Sequence, residues 1–393
     1  MNSLRPCDTR QRVSLLLLAC ALLVFAVPET IAAQTSPLAT PNSDRSSGSG
    51  LAADVYVGTN VSGYGSGYVT SYIINSAGVS GSAAGSSVSG ASGSLNVTAQ
   101  FVFATDGRYI VTYTRDAGGG LAQTSSVDGT AHNITPQGSE VGALTLDRTG
   151  HTLYAAEIEY DGSDNDAYSI WTINADGSLL FVTNVGPSVY YNSPLAFTQD
   201  NHYAYAYGCY FASWDVPGFA RNSDGTLTQF DSGALPPPSN DFICPSGVAT
   251  SAMNYVVIAF VDVVVQGSPE QLGSYTLNSD GTLSLIASSV INTPFTAESS
   301  MAFAPTGQYL AVSGDGGIQM YSLQSGGTLT PIGSVVDPGV PFNVLKWDNG
   351  NHLYAISGAA LYVFSSNAGV LTQAPGSPIP VTEAGSLAVL PEE

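Results

Sequence analysis

Ser300–Ile332, SMAFAPTGQYLAVSGDGGIQMYSLQSGGTLTPI, is the stretch that decides the fold. It holds three apolar strand-like runs, Met301–Ala304, Tyr309–Val312 and Ile318–Leu323, and the start of a fourth at Leu329, with glycine-bearing turns between them. A four-stranded sheet with two apolar faces cannot bury both of them alone. It must stack on copies of itself, so the informative quantity is its recurrence along the chain.

Two signatures recur. The first is a strand, a tight turn and a second strand, read at Phe101–Val111, Leu144–Ala155, Leu195–Tyr205, Val248–Ile258, Met301–Ala311 and Val344–Ala355. The second is an aromatic-centred strand ending in an Asn/Asp-Gly turn, clearest in Trp171–Gly177 (WTINADG), Phe219–Gly225 (FARNSDG) and Tyr275–Gly281 (YTLNSDG). Asp-Gly there supplies the positive-φ residues of a hairpin. Read this way, the turn glycines are Gly78, Gly129, Gly177, Gly225, Gly281, Gly327 and Gly369. They stand roughly 40 to 56 residues apart, the size of a propeller blade.

The missing seventh copy of the first signature is divided between the ends of the chain. Asp54–Val57 reads as a second strand with no first strand before it, and Ser386–Pro391 (SLAVLP) resembles Ser300–Pro305 (SMAFAP) with no second strand after it. Joined, they make one blade and remove the open sheet edges. The expected fold is all-β, a seven-bladed β-propeller of four-stranded antiparallel blades closed by the C-terminal strand.

Three arginines, the apolar run Val13–Val27 and Thr30–Ala33 lay out a secretory signal peptide over residues 1–33. Gln34–Leu51 reads as a flexible Ser/Pro/Gly-rich leader, and residues 52–393 as the propeller. No segment is long and apolar enough for a membrane span. The expectation is an exported, periplasmic or extracellular monomer.

The chain carries 9 basic against 30 acidic residues, a net charge of −21. Nucleic acid and anionic membrane surfaces both need a basic footprint, so neither is an expected partner. Outside the leader the cysteines reduce to Cys209 and Cys244. An exported protein permits a disulfide between them, with two buried thiols as the alternative.

The inner strand before D-G-x-Y/L, the N-x-D-G-x-L turn and Gly376-Ser377-Pro378 together resemble the lactonase-like seven-bladed propellers, the family named for 6-phosphogluconolactonase and carboxymuconate cyclase. The resemblance spans nearly the whole body. It implies a propeller acting on a small lactone near its channel, with no cofactor required. It also implies His and Arg near the channel, often as His-x-His, and no His-x-His occurs here.

Propellers bind ligands where the loops leading into the inner strands converge. Alignment on those strands places Glu140, Glu298 and Glu383 at that mouth, together with Thr98. The three carboxylates are candidates for activating water, for holding a cation or for binding sugar hydroxyls; a merely solvated rim is the alternative. Asn192, Tyr190, Tyr191 and Asn343 are the candidate ligand contacts, and His132 is the one histidine outside the strand turns that hold His151, His202 and His352. Asp161, Asp164 and Asp166 form an acidic loop able to hold calcium, or simply to face solvent. Arg108 and Arg148 are read in equivalent strand turns, which leaves a phosphosugar short of converging cations. Two functions stay open, a lactonase-like hydrolase and a non-catalytic propeller binding a sugar, peptide or envelope partner.

Overall fold

A computed structural model describes residues 51–59, 67–75, 80–81, 87–116, 118–132, 139–159, 167–186, 193–210, 213–234, 243–262, 265, 267–296 and 298–390. They form seven antiparallel blades in a ring, with the innermost strand of each blade nearest the axis. Blade two comprises Asn96–Asp128, blade three Ser139–Val185, blade four Ala196–Phe230, blade five Ile243–Asn292, blade six Glu298–Val336 and blade seven Val344–Pro380. Blade four also carries a two-stranded ribbon, Gly208–Tyr210 with Ser213–Asp215.

Blade one is the expected closure. Ala384–Leu390 pairs antiparallel with Leu51–Thr59, in the register Val55 to Val389 and Val57 to Leu387. These four residues are buried in one apolar cluster shared with Tyr354, Ile356 and Leu361 of blade seven. Ser386 Oγ also donates to Ser92 O at 2.6 Å, so the last strand is tied to the segment that leads into blade two as well as to its own blade.

The alternation of apolar residues is used on both faces of each sheet, because neighbouring blades stack on either side. In blade six Leu310 and Val312 face blade five, in a cluster with Val257 and Ala259. Ala311 on the same strand faces blade seven, in a cluster with Leu345 and Leu353. Seven such clusters replace a single core, which is how a chain of this length remains one ring.

Blade two departs from the sequence reading. Phe101–Thr105 pairs with Asn96–Val97 on one side and with Tyr109–Arg115 on the other, so it is the second strand and not the first. The true inner strand is two residues long and turns at Thr98, whose hydroxyl accepts from Phe101 N at 3.0 Å. Thr105-Asp106-Gly107-Arg108 imitates an inner-strand turn because Asp106 caps Arg108 N and Tyr109 N, as a turn aspartate should. Arg108 therefore lies in a second-to-third turn and is not the equivalent of Arg148. Gly129 is displaced for the same reason: it follows the outer strand, and the blade-two turn glycine is Gly119.

Six third-to-fourth turns then agree in geometry. Gly119, Gly177, Gly225, Gly281, Gly327 and Gly369 all have φ between 78 and 86°. All but Gly119 also press on the preceding blade, where an added Cβ would lie 2.6 Å from Phe101 at Gly177, 2.5 Å from Thr152 at Gly225 and 2.6 Å from Tyr203 at Gly281. Tyrosines of the second strands complete these contacts by donating to the next blade's turn: Tyr154 to Gly225 O at 2.7 Å, Tyr205 to Gly281 O at 2.5 Å and Tyr255 to Ser325 O at 2.6 Å. Burial raises the Tyr154 and Tyr205 phenols well above their ordinary range, so both remain donors.

Candidate functional site

Each inner strand runs from an entry end, where the loop from the preceding blade arrives, to a turn end, where the chain doubles back into the second strand. At the entry end, Glu383 stands directly before the inner strand of blade one, exposed, with φ +41°. Glu298 opens the inner strand of blade six opposite Gly314, and Asn343 N donates to Ile356 O at 2.9 Å beside the inner strand of blade seven. Glu140 is on the inner strand of blade three, opposite Ile158. Its carboxylate, however, leans over the second-to-third turn of blade two, where a Cβ on Gly107 would be 3.7 Å from its carboxyl carbon. Of the three carboxylates expected from sequence, that of Glu140 is thus directed over a neighbouring blade.

Tyr190, Tyr191, Asn192, Asp161, Asp164 and Asp166 lie outside the described residues. Among the described residues no group of three His, Cys, Asp or Glu is arranged to hold a metal ion. His132 is far from the inner strands: its ring stacks on Phe181 at 3.9 Å and meets Trp171 edge-on, both on the outer strands of blade three. Cys244 is disulfide-bonded, and the ribbon that bears Cys209 packs against the inner strand that bears Cys244.

At the turn end the mouth of the channel opens into a cavity of about 760 Å³. Its walls come from the turns of blades two and three, with Phe197 of blade four, Lys346 of blade seven and Leu390 of blade one completing them. The polar lining includes Asn96, Thr98, Thr149, His151, Arg148 and Lys346. Thr98, aligned from sequence with the entry mouth, is at the opposite end because the inner strand of blade two precedes it.

Arg115 is buried against Asp54, which it meets through Nη2, while its Nε donates to Tyr56 Oη at 2.5 Å. Arg221 is paired with the fully buried Asp147, and Arg108 with Asp128 on the surface, where the guanidinium holds the Asp128 carboxyl below its usual range. Arg148 and Lys346 both line the turn-end cavity. Arg148 Nε donates to Thr198 O at 2.9 Å, and its Nη2 to Phe197 O at 3.3 Å, which fixes the guanidinium at the cavity wall.

The three turn histidines are each held by their own turns, by different acceptors. His352 Nδ1 lies 2.8 Å from Asp348 Oδ2, which also accepts from Tyr354 Oη at 3.0 Å. His202 Nδ1 lies 2.9 Å from Asp200 Oδ2. His151 Nδ1 is 2.7 Å from Thr149 O. A carbonyl only accepts, so Nδ1 of His151 carries a proton. The sequence reading missed this wall of the channel, because D-R-T-G-H looks like every other strand turn.

Comparison of the sequence with protein-family models and with curated proteins finds no match. Comparison of the structure finds relatives along nearly the whole chain. A protein of Bacteroides fragilis described as a candidate 6-phosphogluconolactonase superposes with a TM-score of 0.64 at 18% identity, covering 88% of this chain and 100% of that one. The periplasmic gluconolactonase of Pseudomonas aeruginosa gives 0.64 at 16% identity, covering 86% and 98%. A Lactobacillus plantarum protein gives 0.63 at 15%, covering 86% and 99%. What the chain shares with them is the seven-bladed β-propeller fold. At this identity the likeness carries architecture and leaves chemistry to the residues. No helix among the described residues is long and apolar enough to cross a membrane.

Proposed function

We propose that the protein is an exported, lactonase-like propeller that opens a small, unphosphorylated sugar lactone in its channel. The observation that supports this most is the match along 86–88% of the chain to two proteins described as lactonases, each covered over 98–100% of its own length. The preference for an unphosphorylated substrate follows from the cations: Arg115 and Arg221 are spent on buried carboxylates between blades, and Arg108 on a surface one. A phosphate dianion needs several converging cationic donors, and the residues assigned to the acidic entry end include no lysine or arginine.

In the proposed reaction a carboxylate at the entry end, Glu298 or Glu383, takes a proton from water as the oxygen adds to the lactone carbonyl carbon. The ring C–O bond then breaks, and the leaving alkoxide takes a proton to become a hydroxyl. The product acid ionises at neutral pH, so turnover releases one proton. The test is proton release by the purified protein against gluconolactone and its phosphorylated counterpart. Release above the spontaneous rate with the neutral lactone, lost in E298Q or E383Q, supports the reading. No release from folded protein overturns it. The binding-propeller alternative would then hold, and the uneven placement of Glu140 is the observation in its favour.

A further inference from the structure

We infer that the Asp315–Gly316 step is a site of spontaneous isoaspartate formation, set apart from the chain's other described Asp–Gly and Asn–Gly steps by an unbonded amide. The site does not depend on the protein being a hydrolase.

An aspartyl–glycyl step can close on itself because glycine, with no Cβ, leaves its amide nitrogen open to the carboxyl carbon of the residue before it. The Gly316 nitrogen bonds to Cγ of the protonated Asp315 carboxyl and gives up its proton. The Cγ–OH bond breaks and water leaves, which gives a five-membered succinimide. Water then adds to one of the two ring carbonyls. Opening at Cγ restores aspartate, while opening at the main-chain carbonyl carbon gives isoaspartate, with no net gain or loss of atoms. An amide that already donates a hydrogen bond must first break it.

Seven such steps fall among the described residues, and in six of them the glycine amide is bonded. Gly177, Gly225 and Gly281 each end a four-residue turn, so their amides donate back to Asn174 O, Asn222 O and Asn278 O at 2.9, 3.0 and 3.0 Å. Gly107 N donates to Thr105 Oγ1 at 3.0 Å, Gly350 N to Asp348 Oδ1 at 2.9 Å and Gly129 N to Arg108 O at 2.9 Å. Gly316 is placed differently. Asp315 and Gly316 are the two loop residues between Tyr309–Gly314 and Gly317–Leu323, and the pair that closes this hairpin is Gly314 with Gly317. The Gly316 amide therefore stands outside the ladder and makes no hydrogen bond to a described residue. Asp315 itself is exposed. Asp161–Gly162 lies outside the described residues.

The step sits at the entry end, between two loops. Asp315 Oδ2 accepts from Thr296 Oγ1 at 2.6 Å and Oδ1 from Thr296 N at 3.3 Å, two residues ahead of Glu298. The loop into blade seven bonds to the same turn, Gly339 N to Gly316 O at 3.0 Å and Phe342 N to Gly314 O at 3.3 Å, directly ahead of Asn343. Isoaspartate adds a methylene to the main chain of this short loop and shortens the arm that carries the carboxylate. That change displaces the acceptors of Thr296 and Gly339. Ageing at Asp315 thus loosens the loops that lead into Glu298 and Asn343.

Ageing the full chain in mildly acidic buffer, where the acid form of an aspartyl group is populated, tests this. Circular dichroism confirms that the protein stays folded, and peptide mapping after isoaspartyl-specific methylation locates each product. Isoaspartate at Asp315 is expected to accumulate about five- to tenfold faster than at Asp106, Asp128, Asp176, Asp224 or Asp280, the effect of one hydrogen bond on the attacking amide. Asn349, the faster type of step in a free peptide, should stay intact in the folded chain. In urea the differences among the Asp–Gly steps should vanish, because the dipeptides are alike once the turns are gone. D315E enlarges the ring that must close and should give no product there. Equal accumulation at Asp315 and at the bonded steps of the folded protein overturns the inference. So does deamidation of Asn349 as fast in the folded chain as in urea, since the amide bond would then not govern the rate. A preference for Asp315 that survives in urea also overturns it, because the cause would lie in the sequence and not in the fold.

Discussion

Arg221 of blade four reaches back to Asp147 of blade three, placing Nε at 2.9 Å and Nη2 at 2.5 Å from the same carboxylate oxygen. Asp147 is fully buried, and it also accepts from Thr149 Oγ1 and from the backbone of His151 in its own turn. One carboxylate thus shapes the turn that carries Arg148 and His151 and joins two blades. Removing one partner strands a buried charge, so Arg221→Met is expected to cost about 3–5 kcal/mol in urea unfolding. The double variant R221M/D147N should recover part of that loss. A double variant as unstable as the sum of the single ones would show that the two residues do not act as a pair.

Ring closure makes a second prediction. Val389 and Leu387 pair with Val55 and Val57 and are buried with blade seven, and Ser386 is bonded to Ser92 in the segment leading into blade two. Deleting Leu387–Glu393 exposes the edge of Leu51–Thr59 in blade one and uncovers the apolar face of blade seven that packs on it. Calorimetry should show a lower and broader transition than that of the full chain. A truncated chain melting at the same temperature, with the same sharpness, would mean that the last strand is dispensable.

Much of this architecture was legible in the sequence, and the reasons are local. The Asp-Gly turns at Gly177, Gly225 and Gly281 declare themselves because only glycine accepts their positive φ beside a neighbouring ring. The division of blade one was legible because SLAVLP repeats SMAFAP. Blade two misled because its two-residue inner strand and its Thr98 turn carry no glycine, while Asp106-Gly107 supplied a convincing substitute one strand later. The site was less legible than the fold. Nothing near Arg221 in sequence indicates that it will be spent on Asp147, 74 residues away, and nothing near Lys346 indicates that it will share a cavity with Arg148. Partnerships of this kind are made across blades, where residue spacing holds no information.

The turn glycines can be tested against one another. Gly281 has φ +86°, and a Cβ there would lie 2.6 Å from Tyr203, a ring already packed on Phe230. Gly233 has φ +64° with nothing within 4 Å. Gly233→Ala carries only the conformational cost, about 1 kcal/mol. Gly281→Ala adds a steric cost at a blade interface and should lose about 2–4 kcal/mol in all. Denaturant midpoints of the two variants measure the difference, and equal losses would show that the contact with Tyr203 yields without cost.

The disulfide at Cys244 gives the last prediction. We propose Cys209 as its partner, because the ribbon Gly208–Tyr210 packs against the strand Ile243–Ser251 and because the other cysteines, Cys7 and Cys20, fall in the segment read from sequence as a signal peptide. A bond between them would close a loop of a few dozen residues spanning the outer half of blade four and the approach to the inner strand of blade five. Loop-closure entropy alone gives such a bond about 3–4 kcal/mol. Cys209→Ser should therefore lower stability by that order and release one free thiol, from Cys244, in a chain that otherwise shows none outside the leader. Peptide mapping without reduction supplies the direct check: a fragment linking Cys209 to Cys244 is expected, and Cys244 joined to any other cysteine would replace this pairing. Because the ribbon belongs to blade four and Cys244 to blade five, the bond would act as a covalent counterpart of the tyrosine-to-carbonyl bonds that Tyr154 and Tyr205 make between successive blades.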